Sequence, residues 1–130
     1  WKNVKNYKKF LIPMHIDGNH WALSLVDIEQ RVIIYYDSMK ATEMEINLVC
    51  NKLEDVFDHY IIQKNINDYR AWRLINGKPP RQSNGYDCGV FVCRYMSYLS
   101  RGEVFDFEQC DMEYFRKLIS VELLTGELLV

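Results

Sequence analysis

The chain has 130 residues, of which 48% are hydrophobic and 26% are charged, as in an ordinary globular domain. This length allows one domain with its own hydrophobic core and is too short for two domains of usual size. The net charge of −2 excludes a protein whose overall charge attracts nucleic acid or an anionic membrane. With four cysteines and no segment that resembles a signal peptide or a membrane span, we expect a reducing, intracellular location.

The first half of the chain predicts three strands followed by a helix. Residues 10–12 form a short apolar run that should end at Pro13. Residues 20–26 and 31–36 are rich in β-branched and aromatic residues, and we predict that they pair as an antiparallel hairpin. Over residues 41 to about 60 the apolar side chains recur at helical spacing, which predicts an α-helix.

The second half predicts one short strand and two more helices. Residues 72–75 are a candidate strand, and the segment 76–80 that follows contains two prolines, which fix φ and remove backbone donors. Apolar spacing predicts helices over residues 88 to about 99 and 107 to about 124. Strands that come first and helices that follow are typical of an α+β domain, and we predict a single one.

The clearest chemical signal is the segment 82–89, which reads Gln-Ser-Asn-Gly-Tyr-Asp-Cys-Gly. It is a polar loop that delivers Cys88 to the first turn of an apolar helix. Unpaired backbone amides and the helix dipole favour a thiolate there, and the small Gly89 leaves the sulfur open to a substrate. A thiolate that attacks a carbonyl group needs a proton shuttle, and histidine is the side chain whose pKa suits neutral pH.

Three other residues could complete such a site. His20 begins the second predicted strand and Asp37 ends the neighbouring one, so the hairpin would place the carboxylate against the imidazole ring. Gln82 precedes Cys88 closely enough for its side-chain amide to join the Cys88 backbone N–H in an oxyanion hole. Each residue type is more often structural in such a position, because free cysteines are usually buried and Asp or Gln usually caps a turn. Spacing alone leaves both interpretations open.

Several motifs in the same order resemble the signature of the SUMO/sentrin-specific (Ulp-type) cysteine proteases. The three main motifs are His20-Trp21, Tyr36-Asp37-Ser38-Met39 and the segment 82–89. Further matches are Pro13-Met14-His15, Trp72 and Tyr114-Phe115-Arg116-Lys117. The resemblance therefore extends over most of the chain, from Trp1 to near the C-terminus.

The resemblance implies a papain-like fold, in which an antiparallel sheet is packed by helices. It also implies isopeptidase or C-terminal processing activity on a ubiquitin-like modifier, with SUMO as the expected one. Carried over by position, Cys88 would be the nucleophile, and His20 would act first as base and then as acid. Asp37 would orient His20, and Gln82 would donate a hydrogen bond to the oxyanion.

The resemblance also implies where the substrate binds. Trp21 would lie over a narrow channel for the Gly-Gly tail of the modifier, since only residues without side chains can pass beneath an indole. Asn84 and Gly85, in the loop before Cys88, are assigned to substrate binding as well. No cofactor is implied. We expect a monomer that binds neither nucleic acid nor membrane and has a nuclear or nucleocytoplasmic location.

Catalytic domains of this family begin well before the position that matches Trp1, with a helical portion that carries a second channel tryptophan. We therefore expect residues 1–130 to be the C-terminal part of a catalytic domain, with the N-terminal helical portion missing. Two other functions stay open. One is a module that binds the modifier without turnover, and the other is a viral or transposon-type protease that cleaves a polyprotein.

The histidines and cysteines do not predict a metal site. The residues that would have to form one are His15, His20, Cys88 and Cys93. They lack the paired spacings that structural zinc sites show. Cys93 lies on the predicted Cys88 helix but on a different face, and we expect it to belong to the core, like Cys50 and Cys110.

Overall fold

Residues 7–64 and 66–129, which the computed structural model describes, form a four-stranded sheet with helices on both of its faces. The strands are β1 (Lys9–Ile16), β2 (His20–Asp27), β3 (Val32–Tyr36) and β4 (Arg73–Asn76). The helices are α1 (Glu43–Gln63), α2 (Cys88–Arg101) and α3 (Met112–Thr125), with a short 3₁₀ turn at Gln109–Asp111 before α3. None of the helices in these described ranges is long and apolar enough to cross a membrane. The predicted α+β class is confirmed.

The strands lie in the order β1-β2-β3-β4 across the sheet. β1, β2 and β3 are antiparallel, as the hairpin pattern predicted, but β4 runs parallel to β3. The reason is α1, because a helix that crosses one face of a sheet returns the chain to the edge where the previous strand began. The sheet of the papain-like fold is therefore mixed here, with one parallel pair beside the predicted antiparallel strands.

The first strand is longer than predicted and runs through Pro13 to Ile16. Pro13 pairs with Leu23 of β2, although proline has no N–H to give to a sheet. The strand tolerates it because β1 is at the edge of the four described strands, where half of the backbone groups face away from the sheet. The expectation that Pro13 ends the strand is wrong, and the additional residues bring His15 opposite Trp21.

Local contacts decide where the helices begin. Thr42 accepts a hydrogen bond from the Glu45 N–H, and the Glu45 carboxylate accepts one from the Thr42 N–H. This reciprocal cap makes Glu43 the first residue of α1, later than predicted. The last helix also begins later than predicted, at Met112, and Phe107 lies before it in a segment without regular secondary structure, buried against aromatic rings of α2.

The two faces of the sheet bury two hydrophobic clusters. α1 packs on one face, which includes Ala22 of β2. α2 and α3 pack on the other face, where Leu23 of β2 belongs to the same cluster as Phe91 of α2. Successive residues of a strand point to opposite faces, so β2 lies between the two layers of helices. The start of β2, which carries His20 and Trp21, thereby lies beside the start of α2.

Gly77 follows β4 directly and leads into the loop that carries Gln82. Its N–H donates to the Tyr35 carbonyl at 2.7 Å. An added Cβ would lie 2.6 Å from Cδ1 of Tyr36 and 2.8 Å from the Tyr35 carbonyl oxygen. A side chain cannot rotate away from a contact with backbone, so we expect Gly77→Ala to lower the free energy of unfolding by about 1–3 kcal/mol. Thermal unfolding followed by circular dichroism measures this change.

Gly85→Ala is the matched control for stability, because a Cβ at Gly85 would meet nothing within 4 Å. We expect it to change the free energy of unfolding by less than about 0.5 kcal/mol, as is usual for a surface substitution. Equal unfolding midpoints for Gly77→Ala and Gly85→Ala would show that the close approach at Gly77 has no energetic weight.

Candidate active site

Cys88 is the first residue of α2, and only 7% of its surface is exposed. The N–H of Phe91 donates to the Asp87 carbonyl at 3.0 Å, which is the first hydrogen bond of the helix. The amides that precede Phe91 in α2 therefore lack an intrahelical partner, and together with the helix dipole they favour a negative charge here. Cys88 is a free thiol, and this environment suits a nucleophile.

His20 and Asp37 are in direct contact. His20 Nε2 lies 2.7 Å from Asp37 Oδ1, and the aspartate side chain is 7% exposed. Two further groups donate to the same carboxylate: the Met39 N–H to Oδ1 at 2.7 Å and the Tyr35 hydroxyl to Oδ2 at 3.2 Å. A buried carboxylate with several donors is held in place, so it fixes the orientation of the imidazole ring. Nδ1 of His20 is then the nitrogen that remains for proton transfer.

Tyr35 supports the Asp37 carboxylate and was missed by the sequence analysis. It is fully buried, and burial together with the nearby charge of Asp37 raises the pKa of its hydroxyl well above the ordinary value. The hydroxyl therefore stays protonated at neutral pH and donates to Asp37. The sequence could have indicated this role, because Tyr35 lies two residues before Asp37 and residues i and i+2 of an extended chain share a face.

Gln82 is anchored to the residue that follows Asp37. The Gln82 backbone N–H donates to the Ser38 carbonyl at 2.9 Å, and its side-chain Oε1 accepts from the Ser38 hydroxyl at 2.5 Å. Gln82 Nε2 donates one hydrogen to the Asn84 carbonyl at 2.6 Å, which leaves its second N–H for another acceptor. The buried Ser38 thus orients the amide that was assigned to the oxyanion hole, a role that the sequence did not reveal.

Asn84 and Gly85 shape the loop before Cys88. The Asn84 side-chain oxygen accepts from the N–H groups of Tyr86 at 3.2 Å and Asp87 at 3.1 Å. Its amide nitrogen donates to the Asp87 carboxylate at 2.7 Å, so its contacts are with its own loop, as in the turns that asparagine commonly builds. Gly85 is exposed, with open space around it. The assignment of Asn84 and Gly85 to substrate binding stays a prediction.

Asp87 carries a buried carboxylate next to Cys88. Gln109 Nε2 donates to its Oδ2 at 2.8 Å, and Nε and Nη2 of Arg116 donate to its Oδ1 at 2.9 and 2.6 Å. Burial opposes ionisation of this group, but hydrogen bonds from Asn84, Arg116 and Gln109 outweigh it and lower its pKa. The sequence did not single out this cluster, because Arg116 is 29 residues from Asp87 and no local pattern joins them.

Trp21 connects the strand of His20 to the start of α2. The imidazole of His15 stacks on its indole, with ring centroids 4.5 Å apart and an interplanar angle of 21°. A Cβ at Gly89 would lie 4.0 Å from the indole Cδ1, so this part of α2 is close to the ring. Trp21 is 40% exposed and lines a cavity of about 440 Å³ together with Cys88. The strand that carries the predicted base and the predicted nucleophile therefore border the same cavity.

The other three cysteines differ in their surroundings. Cys50 is buried as predicted, and burial raises the pKa of its thiol to about 11. Cys93 and Cys110 are exposed, so the expectation that they belong to the core is wrong, and Cys93 lines the cavity beside Cys88. Within residues 7–64 and 66–129, no group of three or more His, Cys, Asp or Glu side chains is arranged to hold a metal ion.

Comparison with known proteins places the chain in a family. Residues 1–126 match the model of the Ulp1 protease family, C-terminal catalytic domain. The chain is 32% identical over 124 residues to ubiquitin-like-specific protease 1A of Arabidopsis thaliana, which covers 94% of this chain and 24% of that protein. It is 34% identical over 134 residues to sentrin-specific protease 3 of Homo sapiens, which covers 99% of this chain and 22% of that protein. The chain thus spans about a quarter of the length of these curated relatives.

Two solved structures share the fold. The C-terminal Ulp1 protease domain, determined in complex with SMT3, the yeast ortholog of SUMO, matches with a TM-score of 0.78 and 28% identity over 94% of this chain and 54% of that one. The Ulp1-like SUMO protease catalytic domain of Chaetomium thermophilum matches with a TM-score of 0.80 and 25% identity over 99% of this chain and 50% of that one. The chain therefore belongs to the Ulp1 protease family.

Proposed function

We propose that this chain carries the catalytic residues of a cysteine protease that hydrolyses the bond after the C-terminal Gly-Gly of a ubiquitin-like modifier, with SUMO as the modifier. The observation that carries the proposal is the 2.7 Å contact between His20 Nε2 and Asp37 Oδ1, beside the cavity that Trp21 and Cys88 line together. A histidine oriented by a buried carboxylate, near a cysteine at a helix N-terminus, is the arrangement that thiol hydrolysis requires.

The first step forms an acyl-enzyme. Nδ1 of His20 takes the proton of the Cys88 thiol, because Nε2 is bonded to Asp37. The thiolate attacks the carbonyl carbon of the last glycine and forms a C–S bond. The C–N bond then breaks, and His20 gives its proton to the leaving amine. The products are a thioester on Cys88 and a free amine, which is a lysine side chain in deconjugation and a peptide N-terminus in processing.

The second step releases the modifier. A water molecule gives a proton to His20, and its oxygen attacks the thioester carbonyl. The C–S bond breaks, the proton returns from His20 to the Cys88 sulfur, and the modifier leaves with a terminal carboxylic acid, which releases the second proton of the water to solvent. Asp37 stabilises the imidazolium in both steps without taking the proton itself.

Both steps pass through a tetrahedral intermediate whose oxygen carries a negative charge. The backbone N–H of Cys88 has no intrahelical partner and can donate to that oxygen. The second N–H of Gln82 can donate beside it, because the Ser38 hydroxyl and the Asn84 carbonyl fix the plane of the amide. Two preorganised donors of this kind lower the barrier because they need no reorientation when the charge develops.

The choice of a Gly-Gly tail rests on Trp21. Its indole is stacked by His15 and lines the cavity with Cys88, so a peptide that reaches the sulfur has to pass the ring. A side chain at that point would collide with the indole, whereas glycine has none. The Ulp1 domain of the same fold that was solved in complex with the yeast ortholog of SUMO supports SUMO as the modifier.

A modifier-binding module without turnover and a polyprotein-cleaving protease are the two other functions that the sequence left open. The contact between His20 and Asp37 favours turnover, because a module that only binds has no need for an oriented base. A nuclear or nucleocytoplasmic location, a monomeric state and the lack of nucleic-acid binding stay predictions.

Cleavage of three precursors tests the proposal: SUMO, NEDD8 and ubiquitin, each with a peptide after its Gly-Gly, incubated with the full protein that contains this chain. We expect cleavage of the SUMO precursor after the second glycine. We expect this cleavage to be lost in Cys88→Ala, because the nucleophile is gone. Electrophoresis and mass spectrometry of the products measure both results.

Cys110→Ala is the matched control, since Cys110 is an exposed free cysteine in the turn before α3. We expect it to cleave the SUMO precursor at about the original rate. The proposal is wrong if the intact protein cleaves none of the three precursors. Binding of SUMO without cleavage, measured on the same sample, would identify the binding module instead.

A second substitution tests how the oxyanion donor is held. In Ser38→Ala the Gln82 side-chain oxygen loses its partner, so the amide can rotate away from the intermediate. We expect kcat for the SUMO precursor to fall roughly tenfold with KM nearly unchanged, since the oxyanion exists only beyond the ground state. Steady-state kinetics measure both constants.

Ser83→Ala is the control for this substitution, because Ser83 is an exposed serine of the same loop. Its backbone N–H, which donates to Gln109, is kept in the variant. An equal fall in kcat for Ser83→Ala and Ser38→Ala, or a rise in KM alone for Ser38→Ala, would exclude the orienting role of Ser38.

A further inference from the structure

Asp87 occupies the N-cap position of α2, immediately before Cys88. An aspartate in this position ordinarily accepts hydrogen bonds from the N–H groups of the first helical turn. Among the described residues, the Asp87 carboxylate makes no such bond, and its backbone has φ −92° and ψ 1° instead of the extended conformation that is usual there. The side chain is bonded to Arg116 of α3 and to Gln109 instead.

We propose that Arg116 is a positioning residue for the nucleophile: it holds the Asp87 carboxylate against α3 and away from the first turn of α2, where Cys88 lies. Without this restraint only the neutral donors Asn84 and Gln109 would hold the carboxylate, and its Oδ1 could turn to cap the helix and place a negative charge beside the sulfur. The inference rests on the proposed role of Cys88 as nucleophile and concerns how its thiolate is maintained.

The restraint is a pair of charge-assisted hydrogen bonds from one guanidinium to one carboxylate oxygen, called the fork below. Nε and Nη2 of Arg116 both donate to Asp87 Oδ1, at 2.9 and 2.6 Å, and Nη2 also donates to the Tyr86 carbonyl at 3.0 Å. The side-chain amides of Asn84 and Gln109 donate to the other carboxylate oxygen, Oδ2, at 2.7 and 2.8 Å. The Asp87 side chain is 5% exposed and that of Arg116 is 48% exposed, so loss of the arginine leaves a buried carboxylate without its counter-charge.

Asp87 does not cap the first turn of α2, so the backbone N–H groups of that turn stay available to the proposed mechanism. The first intrahelical bond of α2 runs from the Phe91 N–H to the Asp87 carbonyl. The N–H groups of Cys88, Gly89 and Val90 therefore have no intrahelical partner, and they favour a thiolate. A released carboxylate would accept from Gly89 or Val90 and cancel part of this positive potential.

Arg116 also brings its own charge to the cleft. It lines the cavity of about 440 Å³ that Cys88 and Trp21 line. Its guanidinium lies 5.9 Å from the ring of Tyr86, which lines the same cavity. The fork therefore holds a cation at the cavity that Cys88 lines and keeps the neighbouring anion buried and paired.

The titratable and charged groups that line the cavity with Cys88 are Tyr86 before α2, Cys93 on α2 and Arg116 on α3. Asp87 precedes Cys88 in the chain, and the His20–Asp37 pair lies at the start of β2, next to Trp21 of the same cavity. A substitution of Arg116 alters one of these groups and removes the counter-charge of another, Asp87. A shift in the titration of Cys88 can then be assigned by a second substitution at Asp87.

The test is the pH dependence of Cys88 alkylation by iodoacetamide, followed peptide by peptide with mass spectrometry in the full protein. Only the thiolate reacts, so the midpoint of rate against pH reports its formation, and peptide mapping separates Cys88 from the exposed Cys93 and Cys110. In Arg116→Met we expect the midpoint to rise by about one pH unit and the rate at neutral pH to fall roughly tenfold, because a nearby like charge disfavours the anion.

A double variant separates positioning from a merely structural role. When Asp87→Asn is added to Arg116→Met, the fork is still absent but the negative charge is gone, so we expect the midpoint to return toward its original value. Lys117→Met is the matched control, since Lys117 is the next residue of α3, 74% exposed and paired with Glu113. We expect no shift of the midpoint in that variant.

An unchanged midpoint in Arg116→Met, or an equally raised midpoint in the double variant, overturns the proposal. If near-UV circular dichroism shows that Arg116→Met does not fold, Arg116→Lys gives the same test, because lysine keeps the charge but offers no fork. We then expect a smaller rise that Asp87→Asn reverses, and no rise overturns the proposal. Alkylation needs no modifier, so failure of SUMO cleavage with a raised midpoint contradicts the proposed function alone.

Discussion

The buried charge of Asp37 is the constraint on which the site depends. A carboxylate with 7% of its side chain exposed has lost most of its hydration and is stable only where donors replace the water. His20, Tyr35 and the Met39 N–H supply those donors. The next residue, Ser38, anchors the amide that is proposed to bind the oxyanion. The turn that follows β3 therefore connects the base, its orienting anion and an oxyanion donor by hydrogen bonds.

Two buried aspartates lie next to the proposed catalytic pair of His20 and Cys88, and their carboxylates have opposite placements. Asp37 is brought against His20, because an imidazolium is stabilised by a nearby anion. Asp87 is next to Cys88 in the chain, but its carboxylate is bonded to Arg116, and a thiolate is stabilised when an anion is kept away. The packing of α2 on β2 joins the two halves, so the hydrophobic cluster between them sets the distance over which the proton must move.

The parts of the fold that follow from local pattern were predictable, and the supports of the site were not. Alternation and β-branched residues predicted β2 and β3, and helical spacing predicted α1. The loop before Cys88 was visible as turn residues followed by an apolar helix. In contrast, Ser38 contacts Gln82 across 44 residues and Asp87 contacts Arg116 across 29, and such residues occur throughout a chain. The path of α1, which makes β4 parallel to β3, brings Gln82 to Ser38, and the packing of α3 on α2 brings Arg116 to Asp87.

Trapping of the acyl-enzyme tests the central claim most directly. The full protein is mixed with a SUMO precursor, quenched in acid within milliseconds, digested and analysed by mass spectrometry. We expect the C-terminal glycine of SUMO to be joined to Cys88, with an adduct that hydroxylamine removes, as a thioester requires. Cleavage of the precursor without any adduct on Cys88, or an adduct that maps to another cysteine, would contradict the assignment of the nucleophile.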